Sequence, residues 1–281
     1  MPYWRDRVFN QQKVLLGKSI DELENELARL YKSALQENKR DLEGLYLDLM
    51  RQDIKGEVKI NDLYRYNRYW EVRADLNKKL TSLGVKQNEL MGKSFYDMYY
   101  RVQDYFNKNP KFLAKTVDGK VVKMVNSNPV DTTSPIVAEK AQAVVNSVWC
   151  ADGKYWSERV WERMDKLQAA LEKGLTDIIV RGASSDELAL TIAQEMNKDF
   201  NTARTLVRTE LSHIYNQAAA ERYQDAGCEY YEVLSNQSED ECYEMNGTVI
   251  RFSEMVEGEN CPPFHCNCRC SILPVLGGKN G

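Results

Sequence analysis

No apolar run in this sequence approaches the roughly 18 to 20 residues that a bilayer-spanning helix needs, which excludes a helical membrane protein. The opening residues Met1-Pro2-Tyr3-Trp4-Arg5-Asp6-Arg7 lack the apolar stretch of a secretory signal, so the expectation is a soluble protein that folds in a cytoplasm. Internal repeats and low-complexity tracts are lacking too. Positive charge is not in surplus. Against 38 Lys and Arg stand 42 Asp and Glu, and the net charge of -4 argues against a generic nucleic-acid binder. Histidine is scarce, with only His213 and His265, and no His-rich site or paired carboxylates suited to acid–base catalysis are visible.

What is present supplies two cores. The 281 residues are 43% hydrophobic, enough for two domains of ordinary size. Charge is divided unevenly: residues 1 to 115 hold 22 Lys and Arg against 17 Asp and Glu, whereas residues 135 to 281 hold 14 against 23. The N-terminal part is therefore the better candidate for a DNA neighbour, although the simpler reading of its Lys and Arg is the solvated faces of long helices.

Hydrophobic period predicts helices over most of the chain. Ser19-Ile20-Asp21-Glu22 reads as a capping box, followed by Leu23, Leu27, Leu30, Ala34, Leu42, Leu45 and Leu49 at steps of three and four, interrupted at Asn38. A break near Lys55-Gly56 precedes two further helices, 61–83 and 87–106. In them Tyr64, Tyr66, Tyr69, Trp70, Tyr96, Tyr99, Tyr100, Tyr105 and Phe106 alternate with Arg65, Arg68, Arg73 and Arg101. Such a belt packs helices, or forms a protein interface, more often than it stacks on bases. Residues 116 to 134 lose the helical period and read as a linker, with a hairpin turn at Asp118-Gly119. Helical pattern returns from Val137 to Trp149, from Ser157 to a stop at Gly174, after a second capping box at Ser184-Ser185-Asp186-Glu187, and from Thr202 to Ala226.

Beyond Gly227 the period becomes strand-like, in Tyr230-Tyr231-Glu232-Val233-Leu234 and finally from Arg269 to Val275. Asn246-Gly247, between Tyr243-Glu244-Met245 and Thr248-Val249-Ile250, is a hairpin signal. The expected class is α+β: a helical N-terminal region (1–115), a linker (116–134), and a helical domain (135–281) ending in a small antiparallel sheet with a Cys/His clasp.

Five of the seven cysteines lie between Cys242 and Cys270, which in a cytosolic protein reads as metal ligands or functional thiols before disulfides. Four Cys and His265 occupy the ten residues from Cys261 to Cys270, and Cys242 makes six soft ligands. Zinc takes four in a tetrahedron, and a closed Cys/His shell lends folding free energy to a small sheet. Alternate residues of an extended strand share a side, so Cys266, Cys268 and Cys270 cannot all be ligands without a bend. Pro262-Pro263 predicts a rigid extended approach to them. The spacing is not that of a standard zinc finger, and no Gly-rich nucleophile turn surrounds a cysteine for a papain-like pairing with His213 or His265. Structural zinc, a metal-free hydrogen-bonded or disulfide clasp, and a catalytic thiol all stay open, in that order. His213, on a predicted helix, reads as a satisfied, partly buried side chain. Upstream, Arg208 and Asn216 fall near one face of that helix, placed to hold neighbouring backbone or the clasp.

The order Arg208-Thr209-Glu210, Asn216, Ala219, Tyr223, Gly227, Tyr230, Asp240, Cys242, Asn246-Gly247, Pro262-Pro263-Phe264-His265-Cys266-Asn267-Cys268-Arg269-Cys270 and Pro274 resembles the phage head morphogenesis domain of Mu F-like minor head proteins. That signature has an RTE-bearing helix, an Asp and a Cys, an Asn-Gly or Asp-Gly turn, and a PPxHPNCRC-type ending. The resemblance covers roughly residues 140 to 275, including a lead-in at Trp156-Ser157-Glu158-Arg159-Val160-Trp161. Cys266 stands where the family usually has Pro, which adds a ligand, and Met245 where many members have a second Cys, which removes one. The expected set for a structural Zn2+ is Cys242, His265, Cys268 and Cys270, with Cys261 and Cys266 as alternatives. Arg208, Glu210, Asn216, Asp240, Gly247 and Arg269 are the accompanying structural residues.

What the resemblance implies is an assembly component and not an enzyme: a minor head protein of a tailed phage, in the capsid interior and, during assembly, the host cytoplasm. Its implied partners are the portal and other head proteins, with packaged double-stranded DNA a candidate contact of the N-terminal region. The competing reading is a Mu F-like toxin-associated enzyme such as a nuclease, because such domains also occur joined to toxin modules; the close at 277–281 leads to the expectation that none is appended. A bare zinc-binding DNA module would need a basic C-terminal domain, against the acidic excess there.

Overall fold

The computed structural model describes residues 3–51, 67–120, 122–150, 152–181, 184–235 and 241–277. Within them the order is α1 (Tyr3–Arg51), α2 (Asn67–Lys108), β1 (Lys111–Thr116), β2 (Val122–Asn126), α3 (Pro135–Val145), α4 (Trp156–Arg181), α5 (Ser185–Asp225), β3 (Cys228–Leu234), β4 (Val249–Arg251) and β5 (Ser271–Leu276). Tight 3-10 turns occupy Glu241–Met245 and Phe252–Glu254. The class is α+β, as the sequence predicts. Lys55-Gly56, Tyr64, Arg65, Tyr66 and Asp240 lie outside the described residues, as do the side chains of Leu42, Leu45 and Leu49.

The helices run further than their end signals suggest. Ser19 is not a cap: it sits inside α1, where its hydroxyl donates to the Leu15 carbonyl at 3.1 Å, the i−4 bond that lets serine sit mid-helix. Glu22 instead pairs with Arg101 at 2.8 Å. Asn38 interrupts nothing and is buried within the same helix. Helix α2 continues through Gly84, where an added Cβ would lie 2.7 Å from a Trp161 ring carbon. Helix α4 continues through Gly174, where a Cβ would meet Thr191 Cγ2 at 3.1 Å. Both glycines serve close packing rather than termination. At α5 the capping signal holds, with Ser184 Oγ accepting from the Glu187 N–H at 3.2 Å, and the two helices expected beyond it are one of 41 residues.

Two compact units divide the chain, one of residues 24–90 and 157–204, the other of 1–23, 91–156 and 205–281. Helices α1, α2 and α5 give residues to both. In the first unit Tyr69, Val72, Leu76, Leu80 and Leu83 of α2 pack with Met164, Leu167, Leu171 and Leu175 of α4 and with Leu188, Ile192 and Met196 of α5. Steps of three and four put each set on one helix face. Arg163 and Asp199 pair at 3.0 Å within this unit, and Arg163 also donates to Gln87 Oε1 at 2.8 Å, which satisfies charges that burial would otherwise penalise. The aromatic belt is mostly packing: Tyr69, Tyr99 and Phe106 are buried, whereas Trp70 is exposed.

The second unit holds a sheet of order β2-β1-β5-β3-β4. Asp118-Gly119 closes the β1–β2 hairpin, with Gly119 at φ 69. The sheet is mixed, not antiparallel throughout, because β1 pairs parallel to β5. A parallel pair needs a crossover, and α3 to α5 supply it. The 116–134 segment, expected as a linker, carries β2, which pairs with β1. Fully buried Arg222 fastens its end, donating to Ser127 Oγ at 3.1 Å and the Asn128 carbonyl at 2.7 Å. Tyr243-Glu244-Met245 is a 3-10 turn and no hairpin strand. Gly247, at φ 85, donates its N–H to the Val233 carbonyl at 2.8 Å, and β4 then pairs with β3.

Candidate metal centre

The thiols of Cys242, Cys268 and Cys270 lie within 4.8 Å of one another and all three residues are buried. Three such thiols can hold a metal ion. Cys242 comes from the 3-10 turn, and Cys268 and Cys270 from the approach to β5. Asn267, at φ 61, supplies the bend that a straight strand would lack. It turns Cys266 outward and Cys268 inward, while the Cys268 N–H closes a turn on the His265 carbonyl at 3.1 Å. Phe264 packs against the three cysteines. The Pro262-Pro263 peptide bond is cis.

His265 reaches this group. Its Nε2 is 3.4 Å from Cys242 Sγ, and the Cys270 and Cys242 sulfurs are 3.1 Å apart. His265 Nδ1 lies 2.9 Å from the Cys266 carbonyl, which can only accept, so Nδ1 carries the proton and Nε2 turns its lone pair toward the thiols. Bond lengths of about 2.3 Å to sulfur and 2.0 to 2.1 Å to nitrogen put tetrahedral zinc ligands roughly 3.5 to 3.8 Å apart, and the 3.4 Å from His265 Nε2 to Cys242 Sγ is close to that range. A hydrogen bond from the Cys270 thiol holds the Cys268 thiol below the ordinary range, and the same bond with burial pushes Cys270 up.

Neither alternative joins the three. Cys266 is exposed and contributes its carbonyl. Cys261 is buried elsewhere, its sulfur accepting from Gln217 Nε2 at 3.7 Å, and burial with nearby Glu257 pushes its thiol up.

Helix α5 carries the loop. Thr209 Oγ1 accepts from the Asn267 N–H at 3.0 Å. Asn216 Nδ2 and Gln12 Nε2 both donate to the Cys270 carbonyl, at 3.2 and 3.3 Å. Glu210 is buried and takes the Trp149 indole N–H at 3.1 Å. Asn246 Oδ1 accepts from the Ser235 N–H, and the Ser235 hydroxyl lies 3.7 Å from Cys242 Sγ. Sequence reasoning singled out Arg208, Glu210 and Asn216 but gave no role to Thr209, Gln12 or Ser235. Thr209 carries a signal in the RTE triplet, whereas Gln12 carries none, being 258 residues from its partner. Arg208 and Arg269 line a pocket that borders the thiol group, with Cys268 in its wall.

Residues 169–273 match the family model described as Phage Mu protein F like protein. No curated protein and no solved structure matches the chain.

Proposed function

We propose, from the match of residues 169–273 to the family model described as Phage Mu protein F like protein, that the protein is a minor head protein of a tailed phage, acting near the portal. The reading is of an assembly component without catalysis. The observation that carries it is the thiol group of Cys242, Cys268 and Cys270, clasped to α5 through Thr209 and Asn216, inside the matched segment. Such a clasp makes a rigid docking unit. Exposed Lys108, Lys111, Lys120 and Lys123, at and around the β1–β2 hairpin, support a contact with packaged DNA.

The same group supports a structural Zn2+ held by Cys242, Cys268 and Cys270 through sulfur and by His265 through Nε2. Bound there, the ion would supply folding free energy to the sheet rather than a reaction. Native mass spectrometry of the reduced protein tests this through a zinc-sized mass increment that Cys268→Ser removes.

Heads purified from a phage genome carrying the gene test the assembly role. The expected result is a few copies per head, with heads lacking the gene failing in DNA retention or ejection. Absence of the protein from purified heads, or normal infectious heads without the gene, overturns the reading.

A further inference from the structure

Arg208 and Arg269 belong to the matched signature yet take no part in the thiol group. Both line a pocket of about 360 Å³, and Lys13 of α1 lines it with them. Asp21 is the one acidic residue among the described residues of its wall, opposite Lys13 and Arg269. Phe9, Leu16 and Ile20 form an apolar side. The pocket is amphipathic, cationic along one part and aliphatic along another.

Two buried polar residues of the wall are incompletely paired. Gln12 and Ser212 are each 3% exposed and line the same pocket. Gln12 Oε1 and Ser212 Oγ have no hydrogen-bond partner among the described residues. Gln12 cannot turn its amide over without loss, because Nε2 already donates to the Cys270 carbonyl. Its oxygen therefore asks for a donor, and the Ser212 hydroxyl can give its proton to an acceptor. A buried polar group left this way is destabilising, and a ligand with matching groups relieves it.

We propose that this pocket docks an acidic, aliphatic peptide segment of a partner protein. A carboxylate of the segment meets Arg269, Arg208 and Lys13, with the Ser212 hydroxyl as a further donor. A backbone N–H of the segment meets Gln12 Oε1, and an aliphatic side chain covers Phe9, Leu16 and Ile20. Gln12 decides between a peptide and a nucleic-acid backbone: a phosphodiester has the anion but no N–H to offer, and no aliphatic group for the apolar side. The inference concerns the pocket itself and stands apart from whether the protein is carried in a phage head.

Fluorescence polarisation on the purified full chain tests it, with a short fluorescein-labelled peptide of alternating leucine and glutamate as probe. The same peptide with glutamine for glutamate is the control, and unlabelled duplex DNA the competitor. The expected result is saturable binding of the glutamate peptide, weaker by about 10-fold or more for the glutamine control and for Arg269→Glu. Lys13→Glu, an exposed change on α1 away from the thiols, should weaken it in the same direction and covers the case in which Arg269→Glu misfolds. Equal binding of the two peptides, or wild-type binding by folded Lys13→Glu and Arg269→Glu, overturns the proposal. Displacement of the peptide by duplex DNA also overturns it and makes nucleic acid the occupant.

Discussion

The backbone N–H of Asn267 donates to Thr209 Oγ1 at 3.0 Å, tying the left-handed bend of the cysteine loop to the middle of α5. Thr209 is 6% exposed, so its hydroxyl is a buried acceptor with a designated donor. Thr209→Val keeps the shape and leaves that N–H unpaired. The expected cost is about 1 to 3 kcal/mol in urea unfolding. At position 267, Gly should be tolerated and Val should cost about 1 to 2 kcal/mol, because φ 61 suits Gly and Asn but not a β-branched residue. Equal stability of the Gly and Val variants would show that the bend is not held in that conformation.

Cysteine substitutions should separate along the line the bend draws. Cys268→Ser and Cys270→Ser remove buried thiols from the group, and each should abolish zinc uptake and lower the melting temperature. Cys266→Ser should leave both unchanged, since that side chain points to solvent. A strong chelator should lower the melting temperature of wild type and of Cys266→Ser alike. Retained uptake in Cys270→Ser, read with a colorimetric zinc indicator, sinks the ligand assignment.

Glycine offers a test of packing against propensity. Gly44 of α1 and Gly84 of α2 are both mid-helix, where Ala is favoured by about 1 kcal/mol. Around Gly44 nothing lies within 4 Å of an added Cβ, so Gly44→Ala should stabilise. At Gly84 the new methyl would sit 2.7 Å from the Trp161 ring and 3.0 Å from Met164 Cγ. Overpacking of this kind costs about 1 to 3 kcal/mol and outweighs the propensity gain. Melting temperatures of the two variants should therefore move in opposite directions.

Residue identity in the sequence offers six soft ligands, Cys242, Cys261, His265, Cys266, Cys268 and Cys270, of which the structure gathers the thiols of Cys242, Cys268 and Cys270. Helix ends were less legible. Ser19-Ile20-Asp21-Glu22 has the letters of a capping box, but tertiary pairing of Glu22 with Arg101 and the Ser19 bond to the Leu15 carbonyl keep the helix continuous. Gly174 looks like a stop until Thr191 is placed beside it. The parallel β1–β5 pair joins Lys115 to Val275, a separation no local pattern encodes, and it is why 116–134 reads as a connector. Identity survives without context, whereas boundaries and long-range pairing depend on what packs alongside.

His213 gives a pH prediction whose sign can be worked out. The ring is fully buried, stacked on Trp149 at 4.9 Å and 2.9 Å from the Ser147 hydroxyl. Burial drives its pKa down to about 4, against the partly opposing bond with the Val144 carbonyl. An unfolded chain binds this proton near pH 6.5, whereas the folded one resists it until about pH 4. Stability is then fully present above about pH 6.5 and falls as pH drops toward 4, by on the order of 3 kcal/mol in all. Glu257, 3.6 Å from Nδ1 and raised by its own burial, leans the other way as pH falls, so the comparison is made with a variant. His213→Gln should cost stability at pH 7.5 yet lose most of the decline between pH 6.5 and 4.5 in urea titrations. A decline of the same steepness in that variant would assign the acid sensitivity to the carboxylates instead.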